Sequence, residues 1–117
     1  AHAVHPNHRE KCDIKNRIYP GDGVALKMAA SQSYATDASC VSILEHLCRT
    51  RNIPYKKFSN RSDMKGGSTL GALSSAQLAM RTMDVGVPIL AMHSARELMG
   101  ASDQAALVAL ASEFFLV

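Results

Sequence analysis

Apolar side chains recur along this chain at two spacings, and the switch between them divides it into alternating strands and helices. Over residues 24–30, Val24, Leu26 and Met28 share one side under the two-residue period of a strand, with Lys27 on the other. Over residues 38–51 the spacing becomes helical: Val41, Leu44, Leu47 and Cys48 form a stripe, with Glu45, Arg49 and Arg51 outward. Thr36 or Asp37 can cap this helix, and Asn52-Ile53-Pro54 ends it. Residues 55–59 read as a second short strand. Residues 70–81 offer Leu70, Leu73, Ala76, Leu78 and Met80 for burial, as a helix against the sheet. Residues 82–97 read as a short buried strand of central type, then a loop holding His93, then a helix beginning over residues 95–99. Pro88 has no amide hydrogen, so the ladder ends near it, and the backbone bends or changes partners between Gly86 and Pro88. A helix restarts at Ser102-Asp103 and closes over residues 105–115, with Leu107, Leu110, Phe114 and Leu116 inward. This alternation predicts an α/β fold: a partial mixed sheet of three or four strands flanked by helices. Residues 6–23 and 59–71 read as polar loops, the first ending in a strong turn at Tyr19-Pro20-Gly21-Asp22-Gly23.

At 117 residues the chain makes at most one domain, large enough to bury a core. Only 5% of its residues are aromatic, so aliphatic side chains and six methionines fill the interior. The net charge of +3 is dispersed along the chain and gives no basis for nucleic-acid binding. No apolar run is of membrane length. The three cysteines suggest no disulfide framework, since Cys40 and Cys48 are separated by about 12 Å of helix rise. A reducing cytoplasm is the expected compartment. The first residue is not methionine, as expected of a cut or processed piece.

Candidate chemistry gathers around histidines. His93 follows a strand end, where α/β folds place their sites, and a neutral imidazole there is a good zinc ligand; the plainer reading is a loop histidine facing water. His2, His5 and His8 repeat every three residues, the sharper reading of which is a metal cluster, but Pro6 breaks the helix that would gather them, so a polar arm is the simpler account. Lys27 is by pattern a solvated strand lysine. The glycines at 66, 67 and 71 do not make a phosphate loop, because no Gly-Lys-Ser/Thr follows them. Glu97 is expected to pair with Arg96 or to favour a helix start; Asp84 is placed to line the site from its strand end, and neither is counted among the site residues.

Three stretches together resemble one family: Ala1-His2-Ala3-Val4-His5-Pro6-Asn7, then the run from Asn60-Arg61-Ser62-Asp63 through Gly66-Gly67 to Gly71, then Met92-His93-Ser94-Ala95-Arg96-Glu97. Their order and content are similar to the M18 family, the aspartyl aminopeptidases, over nearly the whole chain. The resemblance implies that residues 1–117 are the C-terminal portion of a zinc-peptidase-like catalytic domain. It implies two zinc ions per active site in the parent, with His93 as the one ligand supplied here. It implies that His2, Lys27 and Tyr34 bind substrate, Lys27 pairing with the acidic side chain of the N-terminal residue to be removed. An ammonium group suits that selection. The bridging aspartate, the general-base glutamate and the other ligands would lie upstream, so this piece alone is expected to be inactive. Peptides with an N-terminal acidic residue are the expected substrates, and a homo-oligomer the expected assembly, since a truncated sheet leaves open edges. Two alternatives remain at this point: a non-catalytic α/β assembly or interaction module, and an independent metal binder using His2, His5, His8 and His93.

Overall fold

The computed structural model describes residues 1–9, 17–28, 38–59, 70–78 and 80–116. Tyr34, Cys12, the cap at Thr36 or Asp37, and loop residues 60–69 lie outside the described residues. The elements in order are β1 (Val24–Met28), α1 (Ala38–Thr50), β2 (Tyr55–Ser59), α2 (Leu70–Leu78), β3 (Val85–Gly86), β4 (Ile89–Leu90), β5 (Leu98–Met99) and α3 (Ala101–Phe115).

β1 is the central strand of a mixed sheet ordered β2-β1-β3. It runs parallel to β2, in register from Val24 opposite Tyr55 to Met28 opposite Ser59. Parallel neighbours need a crossover, and α1 provides it. On its other edge β1 pairs antiparallel with β3, Ala25 opposite Gly86 and Leu26 opposite Val85. Val24, Ala25 and Leu26 are all fully buried, because both faces of the strand are covered. Val24 and Leu26 pack with Leu44 and Cys48 of α1, Ile53, and Ala106 and Leu110 of α3. Ala25 packs on the opposite face with Phe58, Ile18 and Ala1. By strand alternation Lys27 belongs to this second face, away from the helices.

α1 ends as its sequence dictates. Asn52 takes a left-handed φ of 54°. The Ile53 amide returns to the Cys48 carbonyl at 2.9 Å, and the Asn52 amide to Arg49 at 3.4 Å. This is the paired closure of a helix C-terminus, with Ile53 folding back into the core beside Cys48. Cys40 and Cys48 are free and buried.

A buried carboxylate ties the sheet to the last helix. Asp103, in the first turn of α3, has no exposed area. It accepts the amides of Gly21 at 2.7 Å and Gly23 at 2.9 Å. Its place in the first helical turn also suits its charge. Gly23 has φ +94°, and a Cβ there would lie 2.1 Å from the Pro54 carbonyl oxygen, so only glycine fits.

Several expectations need correction. No helix begins over residues 95–99: residues 95–97 continue the loop and Leu98–Met99 form β5, paired antiparallel with β4, Ile89 opposite Met99 and Leu90 opposite Leu98. A two-residue apolar pair carries no period, so the cross-strand partner decided its form. The buried central strand expected in residues 82–97 is two half-buried strands in different sheets, since the backbone changes partners between Gly86 and Ile89. Ile18, in the expected surface loop, is 1% exposed beneath the second face of β1. The apolar residues of α2 are open: Leu70, Leu73 and Leu78 are exposed, as is Met80 beyond it. On α3, Ala106 and Leu110 face the core, whereas Phe114 and Leu116 point outward.

Asp103→Asn keeps the shape but leaves one of the two glycine amides without its acceptor. The expected loss is about 1–3 kcal/mol, read as a lower urea midpoint with an unchanged slope. Gly23→Ala should cost about 2 kcal/mol or more, through backbone strain and the collision with Pro54, by the same measurement.

Candidate functional site

The second face of β1 and the segment that follows β3 bring three of the four expected residues together. Lys27 stands next to last in β1, and its amide donates to the Asp84 carbonyl at 3.1 Å. Its side chain lies along β3: a Cβ added to Gly86 would meet Lys27 Cε at 3.4 Å and Nζ at 3.8 Å. The bare backbone of Gly86 is therefore the floor under the ammonium group. The same added atom would lie 3.6 Å from the Ala1 nitrogen.

Residues 1–3 run beside the segment after β3. The Ala1 nitrogen donates to the Val87 carbonyl at 3.0 Å. The Ile89 amide donates to Ala1 and the Ala3 amide to Ile89, both at 2.9 Å. This is the slanted pattern of parallel pairing, and it bridges His2 to Ile89. Ile89 thus sits between residues 1–3 on one side and β5 on the other.

His93 comes three residues after β4, in the exposed loop that leads to β5. Ala91 and His93 both have left-handed backbones, with φ of 56° and 69°. Ser94 N–H donates to the Ala91 carbonyl at 3.1 Å. His93 N–H donates to Glu97 Oε1 at 2.6 Å, and Arg96 N–H to Ser94 Oγ at 3.3 Å. The expected pairing of Glu97 with Arg96 or a helix start is therefore replaced by a bond to the His93 backbone.

Charge links the three residues. The His2 imidazole is held below its ordinary value by loss of surrounding water, and then by the positive charges of the chain-end amine, His93 and Lys27. The Ala1 amine is pushed down to about 5, first by burial and then by Lys27.

The remaining histidines do not join the patch. The His5 and His8 rings meet at a tilt of 41° with centroids 5.2 Å apart, and His5 Nδ1 accepts the Asn7 amide at 3.1 Å. Among the described residues no three His, Cys, Asp or Glu side chains come together as a metal would require. A catalytic zinc takes three protein ligands, so these residues do not make up a zinc site, and His93 supplies at most one of its ligands. The independent metal binder built on four histidines finds no support in this arrangement. An open hollow lined by Cys48, Arg49, Asn52, Ile53, Pro54 and Tyr55 lies at the other end of the sheet, where β2 begins. Among the described residues no helix is long and apolar enough to cross a membrane.

Sequence reasoning missed Gly86 and Glu97. Glycine in a strand does signal close approach of another group, which is its position here. Glu97 carried no signal beyond its separation from His93.

The family model for the aminopeptidase I zinc metalloproteases (M18) matches residues 1–115. A probable M18 family aminopeptidase 2 of Clostridium novyi is 52% identical over 103 residues, which are 88% of this chain and 24% of that protein. Among solved structures, a chain in the cryo-EM structure of the Ape4 and Nbr1 complex superimposes with a TM-score of 0.94 at 36% identity, over 98% of this chain and 22% of that one. The mApe1 dodecamer of S. cerevisiae superimposes with a TM-score of 0.82 at 26% identity, over 99% and 25%. The chain thus spans about a quarter of the length of these proteins.

In a chain that begins at Ala1, the amine falls from its ordinary 8.0 to about 5 on folding, and His2 also falls. Each then binds its proton more tightly when unfolded. Stability is therefore complete above pH 8.0 and declines as the pH drops toward 5. Thermal melts across this range should show the decline. Acetylating the amine should flatten its upper part, and His2→Gln should reduce the part below 6.5.

Proposed function

Because the chain belongs to the aminopeptidase I zinc metalloprotease (M18) family, we propose that it is the C-terminal portion of the catalytic domain of a metallo-aminopeptidase that releases N-terminal Asp or Glu from peptides. The observation that carries this reading is the placement of the Lys27 ammonium group over the bare Gly86 backbone, with His2 beside it. Lys27 is the specificity group: its ammonium faces the carboxylate of the residue to be removed. His2, kept neutral, lines the pocket as a hydrogen-bonding group. Tyr34 is proposed as a further substrate contact. His93 is the one zinc ligand this chain contributes to a two-metal centre, and the other ligands come from sequence beyond these residues. When bound, the metals supply an activated water and polarise the scissile carbonyl. This chain's own part is to bind and orient the acidic residue. By itself it is inactive, and the whole protein is proposed to be cytoplasmic.

The open apolar side chains of α2 and of the end of α3 support a larger assembly. Cover from the rest of a longer chain and from further copies in a homo-oligomer fits them. The mApe1 dodecamer is one such assembly in a similar protein.

The test uses the whole enzyme that contains this chain, loaded with zinc and assayed on Asp, Glu, Ala and Leu aminoacyl substrates. Acidic residues should be strongly preferred. Lys27→Met should lower kcat/KM for Asp and Glu by about 100-fold, on the scale of a lost buried charge contact, and leave Ala and Leu nearly unchanged. Preference for neutral residues in the wild type would overturn the substrate assignment. Absence of any peptidase activity would favour an assembly module instead.

A further inference from the structure

The loop that presents His93 is held in an unfavourable form, and one side chain is placed to hold it there. Between β4 and β5 the chain turns through Ala91 and His93, both left-handed and neither glycine. Each position sets Cβ against the following carbonyl and persists only where its surroundings enforce it. The loop is exposed and lies outside both core clusters, so packing does not enforce it. Ser94 N–H to the Ala91 carbonyl closes its first turn. The short bond from His93 N–H to Glu97 Oε1, at 2.6 Å, closes the rest. A carboxylate acceptor makes such a bond about twice as strong as a neutral one.

We propose that Glu97 is the positioning residue of the site: by holding the His93 amide it fixes the left-handed loop, and so holds the His93 imidazole toward the patch of His2 and Lys27. The loop argument stands on its own geometry, and its importance for metal binding rests on the reading of His93 as a ligand. Glu97 acts through the backbone, so it needs an acceptor oxygen at this place and not a proton-transferring acid. That separates it from a general base.

The experiment compares Glu97→Ala with Glu97→Gln, which keeps an acceptor oxygen and loses the charge. In this chain, hydrogen exchange at the His93 amide should be roughly tenfold faster in Glu97→Ala, the scale of one lost bond to a charged group. Glu97→Gln, with a neutral acceptor and a weaker bond, should fall between wild type and Glu97→Ala, and the amides of β1 and of α3 at Leu110 should not change in either. In the whole enzyme, zinc retention against graded chelator should weaken by about 10–100-fold in Glu97→Ala and far less in Glu97→Gln. Unchanged exchange at His93 in Glu97→Ala, or Gln and Ala variants equally impaired in zinc retention, would overturn the proposal. His93→Ala run beside them separates the two ideas. Full zinc retention in that variant removes His93 as a ligand, and the exchange data then judge the clasp alone.

Discussion

Every backbone polar group in the interior has to find a partner, and this requirement shapes the segment from Asp84 to Leu90 more than any side chain does. Pro88 has no amide to give. The ladder with β1 stops at Gly86, and Val87 then turns its carbonyl to residue 1. Ile89 exchanges bonds with residues 1–3 while its strand pairs with β5 on the other side. One short segment therefore joins β1, the first residues of the chain and the His93 loop. Lys27, His2 and His93 meet because these three neighbours share that backbone.

The sheet that anchors this junction is fixed from its other end. Asp103, itself fully buried, accepts two glycine amides at the entry to β1, and so locks α3 to the strand that bears Lys27. A carboxylate accepts both amides without an uncompensated charge, because the α3 N-terminus favours a negative group there. Both faces of β1 are then closed, helices over one and residues from both ends of the described chain's first part over the other. The strand has little freedom to shift register, since a slip of one residue would exchange Leu26 with Lys27 between the faces.

The site that results sets His2 among basic groups. Burial first, and then the chain-end amine, His93 and Lys27, hold the His2 imidazole below its ordinary value. The ammonium group of Lys27 in that setting suits the acidic substrate class proposed for this member of the M18 family. The site does not complete a metal centre among the described residues. The division is physically sensible: recognition of an acidic side chain needs one well-placed cation, whereas a zinc pair needs ligands converging from several strand ends.

Much of this was legible in the amino-acid order. The spacing of Val24, Leu26, Val41, Leu44 and Cys48 defined β1 and α1, because periodicity reports which side of an element is dry. Pro88 announced the change of partners, and the motif around His93, with Ala1-His2-Ala3, pointed to the family and to two of the residues in the patch, Lys27 following from the family resemblance. Other features depend on groups distant in sequence. Leu98-Met99 became a strand only because Ile89-Leu90 lay opposite. Ile18 was buried only because β1 had a second face to cover. The exposed leucines of α2 show the converse, an apolar helix with no partner among the described residues to bury it. Sequence by itself determined which residues had to leave water and which chemistry was on offer, since those are properties of side chains and local spacing. Only the tertiary structure decided that Asp103 would hold a turn, that Gly86 would underlie Lys27 and that Glu97 would grip the His93 backbone, since each is a contact whose partner sequence alone does not name.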